Sequence, residues 1–180
     1  LPPTTSTTST TTTTLPPTTT STTTSSTTTT LPQPSTLFND SFESGLGNWV
    51  QDSQNDWFTS AQRAMHGSRS AEVDGFASDA TLTKTSALDL SAKTSATLTF
   101  SWFIESNWDS GEYICLDIFS NGLWTNNVRC LDGNVDEGTW HNENVDLASY
   151  LTNDFKLRFR AKVSGSQEDG NVDNVAVSGV

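Results

Sequence analysis

The chain has 180 residues and a formal net charge of −12, from 21 acidic and 9 basic side chains. All of that charge lies in residues 37–180, which argues against nucleic acid or an anionic membrane as partner, since both need a basic footprint. Residues 1–36 hold 20 Thr, 6 Ser, 6 Pro, 3 Leu and 1 Gln, so they cannot build a core, and the other 144 residues suffice for one domain of ordinary size, not a two-domain enzyme. No run of about 18 apolar residues exists, so no segment is expected to span a bilayer.

In chain order, the first element is a linker. The unit LPPTT occurs at Leu1 and again at Leu15, and a degenerate LPQPS begins at Leu31. Thr and Ser bury too little apolar surface to offset the entropy of ordering, so residues 1–36 are expected to be disordered, stiffened locally by the Pro pairs. This is the composition of a stalk, often O-glycosylated, that tethers a domain to others. The chain starts inside the repeat, which suggests a piece of a longer secreted protein with its signal upstream.

The domain that follows alternates apolar and polar residues. Leu98, Phe100, Trp102 and Ile104 fall on one face of a strand; Thr97, Thr99, Ser101 and Phe103 fall on the other. Phe155, Leu157, Phe159, Ala161 and Val163 face in, while Lys156, Arg158, Arg160 and Lys162 face out. This period of two predicts sheets with one wet face. Further strands are expected at 37–42, 56–60, 68–74, 80–84, 112–119, 124–131, 139–147 and 172–177, separated by turns rich in Gly, Asn, Asp and Ser. About ten short strands predict an all-β fold, an antiparallel jelly-roll β-sandwich over residues 37–180.

Cys115 and Cys130 flank Asn121-Gly122, a strong hairpin signal. A four-residue loop at 121–124 sets Cys115 opposite Cys130, close enough for a disulfide; a two-residue loop would set it opposite Val128 instead. A disulfide implies an oxidising, extracellular compartment.

Four patterns in order, NDSFESGLGNW, MHGSRSAEVDG, GTWHNENVDLASY and GNVDNVAV, resemble extracellular calcium-binding jelly-roll modules, which include carbohydrate-binding modules and MAM-type adhesion domains. The resemblance covers nearly all of 37–180. It implies one structural calcium ion tying the first strand to the last, with Glu43 and Asp173 as side-chain ligands, carbonyls near Ser41 and Arg69, and Asp40 as a weaker candidate. The alternative is that Glu43 and Asp173 are solvated or paired with Arg69. His66 stands where some relatives carry an oxygen ligand, a departure from the pattern. A second acidic run, Glu168-Asp169-Gly170-Asn171-Val172-Asp173, reads as a polar loop or a second ion site. The tetrapeptide GNVD at Gly133 and Gly170 is too short to be a repeat.

Among the six tryptophans, Trp49, Trp102 and Trp140 are expected to pack in the core. Trp57 is ambiguous. Trp108 and Trp124 lie in or beside polar loops, and with Tyr113 they are candidates for stacking on sugar rings, or else they cap the core. Arg158 and Arg160 on the basic strand either floor a groove for an acidic glycan or pair across strands with Asp117 and Glu112. Neither of the two histidines belongs to a catalytic motif, and Cys115 has a bridge partner, so no enzyme is expected. The reading is a secreted or cell-surface accessory module that binds polysaccharide or glycan; the alternative is an adhesion or structural module contacting other extracellular proteins. Asn39-Asp40-Ser41 is a glycosylation sequon.

Overall fold

The structure is a computed structural model describing residues 9–14, 32–133 and 135–180. Both LPPTT units, all but the last two prolines of the expected linker, and Asn134 of the first GNVD lie outside the described residues. The chain divides into two units, Leu1–Leu31 and Pro32–Val180. In the first, residues 9–14 are exposed and without regular structure.

The second unit is all β. Its strands are β1 Ser35–Asp40, β2 Trp49–Gln51, β3 Trp57–Ser60, β4 Ser70–Val73, β5 Ala80–Lys84, β6 Ala96–Ile104, β7 Tyr113–Ser120, β8 Leu123–Asp132, β9 His141–Asp146, β10 Lys156–Lys162 and β11 Gly170–Gly179. A single 3₁₀ turn, Ala148–Tyr150, precedes β10. One sheet has the order β3-β4-β11-β6-β9, with β1 also on β11; the other has the order β2-β5-β10-β7-β8. All pairings between named strands are antiparallel. The expected jelly-roll-like sandwich is thus the observed architecture. The three-residue β2, too short to show a period, is the strand that sequence reasoning missed.

The two long alternating runs form the layers as expected. Leu98, Phe100, Trp102 and Ile104 are buried, as are Phe155, Leu157, Phe159, Ala161 and Val163. They meet between the sheets, where Phe100 stands edge-on to both Trp102 and Phe159 at 4.8 and 5.2 Å. Trp49 closes one side against Phe38, Phe42 and Phe159. A fully buried Phe contributes about 1.5–3 kcal/mol by transfer from water, so these contacts decide the sandwich more than any surface pair. Trp57, ambiguous in sequence, is 1% exposed and donates its indole N–H to the Ala80 carbonyl. Trp140 departs from expectation: it packs on Phe103, an outward residue of β6, and so covers the wet face rather than filling the core.

The hairpin β7–β8 pairs Cys115 with Cys130 and bridges them, as expected, with a Cα separation of 4.1 Å. The route differs. The loop is the two-residue Asn121-Gly122, since Ser120 faces Leu123. A register shift then follows: Ile118 faces Thr125 but Leu116 faces Arg129, so Asn126, Asn127 and Val128 stand against Asp117 alone. Asn127 takes φ of +58°, a left-handed value that Asn tolerates, and its amide is held by the Asp117 carboxylate. The bulge supplies the two residues that the loop lacks and returns the cysteines to register.

Replacing both cysteines by Ala is expected to lower unfolding stability by about 2–4 kcal/mol, the range for a closed loop of this size, with a denaturant slope equal or somewhat larger because the unfolded chain expands. Urea denaturation of both proteins measures it; equal midpoints would show that the hairpin holds without its bridge.

Candidate functional site

The outer face of the five-stranded sheet carries the densest arrangement of polar and aromatic groups. Asp117 of β7 is opposite Arg158 of β10. It is fully buried yet sits on the wet face, because two guanidiniums cover it. Arg158 Nε donates to Asp117 Oδ2 at 2.8 Å and Arg160 Nε donates to the same oxygen at 3.0 Å. Each guanidinium also lies over an aromatic ring: Arg158 over Trp124 at 4.1 Å and Arg160 over Tyr113 at 5.2 Å. Trp124 packs further on Phe119, its partner across the hairpin. The result is a continuous strip, Trp124–Arg158–Asp117–Arg160–Tyr113, ending on Asp79, which accepts from Tyr113 Oη.

The two arginines differ in what they have left to offer. Arg160 donates to Asp117, Asp79, Tyr113 and Asn127, using all five N–H groups of its fork. Arg158 donates to Asp117 and to Asn126 Oδ1, so three of its five donors have no partner among the described residues. Burial pushes the Asp117 pKa up, but the Arg160 fork, the Asn127 amide and Arg158 together outweigh it, and the net shift is below the usual carboxylate value. Of the two acids offered as cross-strand partners for the basic strand, Asp117 serves both arginines. Glu112 serves neither; it lies buried in the loop before β7 and accepts from the Asp109 amide. Sequence reasoning did not find Asp79, Asn126 or Asn127. The only signal was Asn-Asn inside a strand run, which marks a bulge.

Trp108 is not at this surface. It is 1% exposed, so the expected exposed ring is corrected to a core residue. Glycines make room for it: a Cβ at Gly133 or Gly170 would stand 3.0 Å from its side chain. A second groove, about 520 Å³, lies on the six-stranded sheet among Thr99, Ser101, Asn142, Asn144 and Asn174. A cavity of about 390 Å³ at one end of the sandwich is lined by Asp74, Glu105, Asp169 and polar neighbours. There, burial and the charges of Glu72, Glu105 and Asp74 push Asp169 up to about 6. Arg63, 3.8 Å away, does not offset them, because it is bonded to Glu105.

The acids named as metal ligands converge. Phe42 takes φ of +58° with its amide held by Asp40, and this aims the next residue, Glu43, at the segment 65–69. Asn174 takes φ of +55° at a bulge in β11 and leaves Asp173 fully buried against the same segment. Glu43 accepts from the Ser68 amide and hydroxyl and the Arg69 amide; Asp173 accepts from the Met65, His66 and Asn174 amides. Gly67 is the residue between these donors, where a Cβ would meet Glu43 Oε1 at 2.5 Å. The Ser68 hydroxyl and amide and the Arg69 amide hold Glu43 below its usual value, whereas burial and the Glu43 charge push Asp173 up. Among the described residues, neither acid has an ion-pair partner, so Arg69 does not neutralise them. A carboxylate accepts about four hydrogen bonds, and each of these accepts three, so one lone-pair direction remains on each. Two oxygen donors with excess negative charge fit a hard cation. Asp40 is committed elsewhere, to Phe42, Asn48 and the Trp49 indole N–H. Ser41 sits between Asp40 and Phe42, and the exposed Arg69 meets Glu43 through its backbone amide.

No family model and no curated protein sequence matches the chain. Solved structures do. A xylan-binding domain from Paenibacillus barcinonensis is 13% identical with TM-score 0.58, the match covering 84% of this chain and 98% of that one. The K3 cleaved adhesin domain of Lys-gingipain from Porphyromonas gingivalis is 19% identical with TM-score 0.56, covering 81% and 99%. A family 61 carbohydrate-binding module in complex with β-1,4-galactotriose is 14% identical with TM-score 0.56, covering 76% and 92%. Likeness at this identity shows the fold: that of carbohydrate-binding modules and adhesin domains.

Asp117→Asn is expected to destabilise the fold by about 3 kcal/mol, the low end for breaking a buried pair, because both guanidiniums keep some solvent. The gap between the two proteins should be constant above about pH 5. It should close as pH falls below about 4, because the unfolded chain takes up its proton before the depressed Asp117 does in the folded one. Denaturant melts at pH 3, 4, 5 and 7 read this; a gap that held at pH 3 would mean that the charge of Asp117 is not what stabilises.

Proposed function

We propose that the domain is a non-catalytic extracellular accessory module that binds carbohydrate on the outer face of its five-stranded sheet and carries one structural calcium ion. The observation that carries the reading is the Trp124–Arg158–Asp117–Arg160–Tyr113 strip. It combines two partly exposed aromatic rings, a group that packs on the apolar face of a pyranose, with fixed donors that suit hydroxyl and carboxylate oxygens. Arg158 is the ligand donor, because it alone of the two has hydrogens to give; Arg160 is the scaffold that fixes Tyr113 and Asp117. Xylan and galactotriose, named for two structural neighbours, support polysaccharide as the ligand class. The disulfide supports an oxidising compartment. No helix among the described residues is long and apolar enough to cross a membrane. The strip favours the five-stranded face over the groove beside Asn142, because that groove has no half-exposed aromatic with free donors beside it.

Calcium would be held by Glu43 and Asp173, with carbonyls near Ser41 and Arg69, and would offset the uncompensated charge where the first and last strands meet. The likeness to the gingipain adhesin domain favours a second reading, a surface that contacts proteins.

A glycan array spanning neutral and uronic-acid polysaccharides tests the first. The expected result is a defined set of hits that Trp124→Ala and Arg158→Ala each weaken at least tenfold, about 1.4 kcal/mol, measured at a temperature where both variants are folded, since Arg158→Ala also takes a partner from the buried Asp117. An array without hits would favour the protein-contact reading. For the ion, calcium at 100 times the Kd of this site is expected to stabilise the native state by about 2.7 kcal/mol through it, and Asp173→Asn to remove that share of the gain over chelator. Identical melting curves with calcium and chelator would eliminate this site.

A further inference from the structure

Three carboxylates meet between two loops of the domain, and none belongs to either site above. Asp109 and Glu112 come from the loop between β6 and β7, and Glu168 from the loop between β10 and β11. One carboxylate oxygen of each lies within 4.8 Å of the other two. Glu112 is 3% exposed. Its Oε2 accepts the Asp109 amide, but its Oε1 is enclosed and has no hydrogen-bond partner. None of the ion pairs among the described residues includes these three acids; the nearby Arg63 is bonded to Glu105.

An enclosed carboxylate oxygen without a partner costs several kcal/mol, and two more acids beside it add to the cost. The local backbone nevertheless drives the acids together. Glu168 Oε2 accepts the Ser164 and Gly165 amides, which fixes its direction. Gly165 allows that approach, since a Cβ there would stand 2.8 Å from the Glu168 carboxyl; a Cβ at Gly133 would strike the Asp109 carbonyl. Glycine on both sides preserves a close approach that electrostatics alone opposes.

We propose that Asp109, Glu112 and Glu168 form a second cation site, specific for a hard divalent ion of calcium's kind. The donor set is oxygen only, with no His or Cys, which excludes a site tuned to zinc or copper. The unpartnered Glu112 Oε1 is the inner ligand, and the ion clasps the β6–β7 loop to the β10–β11 loop. The competing account is a cluster that holds no ion. The two differ in one respect: without an ion site the cluster does not respond to metal.

Trp108 precedes Asp109 and is buried, so it reports on the site by sensitising terbium, a calcium mimic. The experiment uses the full chain carrying Asp173→Asn, which silences the other proposed ion site. Tryptophan-excited terbium emission should saturate at one ion per chain and be reversed by calcium. Adding Glu112→Gln should weaken terbium at least tenfold, and Glu168→Gln, at a more accessible position, should do the same. In chelator, Glu112→Gln should melt no lower than its parent, because it removes an unpaired charge; in calcium, only the parent should gain. If Asp173→Asn does not fold, dialysis of the wild type against calcium is expected to show that Glu112→Gln lowers the bound stoichiometry by one. Absent emission in the parent, or emission and calcium response unmoved by both substitutions, would overturn the site while leaving Glu43 and Asp173 untouched.

Discussion

The antiparallel pairing of β1 with β11 is the constraint on which the rest depends. It joins residues separated by almost the whole domain, Ser35 to Gly179 and Asp40 to Val175. Once that pairing exists, the chain leaving β1 must turn at Phe42, and the bulge at Asn174 must lie beside it. Glu43 and Asp173 are then brought to one segment, 65–69, whose amides they share. The pairing is costly in loop-closure entropy and cannot come early by local contacts. It is secured by what it covers: Phe42, Trp49 and Val175 are buried where the two strands and the core meet. Residues in left-handed backbone conformations, Phe42 and Asn174, sit at the two points where direction changes, a strain tolerated only because the surroundings fix it.

The protein handles excess negative charge in two ways. On the five-stranded sheet one buried acid, Asp117, is surrounded by two guanidiniums, an amide and two asparagines, and its charge is fully satisfied. Elsewhere several acids have hydrogen-bond donors but no cation. Asp173 has three backbone donors and no cation, and Glu112 has one donor for two oxygens. Nine basic residues cannot neutralise 21 acidic ones, and the sequence places four of its nine on a single strand. The consequence is a domain with four of its basic groups on one strand and several acids without an ion-pair partner among the described residues.

How much of this was legible from sequence follows from what each feature depends on. The sandwich was readable because β6 and β10 alternate strictly, and alternation is a local property set by the pleat. The disulfide was readable for a partly mistaken reason: the four-residue loop does not exist, and the Asn126–Asn127 bulge restores the register. That compensation depends on Asp117 holding the bulge, which no local pattern announces. Trp108 was misread because polar neighbours in sequence are not neighbours in space; it enters a gap left by glycines 25 and 62 positions away. Trp140 was misread because an inward pattern and a pairing of aromatics on the wet face look alike in one strand. The convergence of Glu43 and Asp173 was legible only through resemblance, since residues 130 apart have no shared period.

The contrast between Arg158 and Arg160 shows why residue type alone is a weak guide to a site. Both are arginines on one strand, two positions apart, facing the same way, both over an aromatic ring and both on Asp117. They part because Asn127 and Asp79 both reach Arg160, whereas Arg158 meets only Asn126 of the bulge. A guanidinium with its donors spent can orient other groups but has little to give a ligand. One with three donors left, lying over Trp124 and fixed at its Nε, has lost much of its rotational freedom before anything binds. Preorganisation of that kind reduces the ordering entropy that a flexible surface arginine would bring to a complex. The saturated partner is what makes the unsaturated one stiff, since Arg160 and Asp117 form the fixed base against which Arg158 is held.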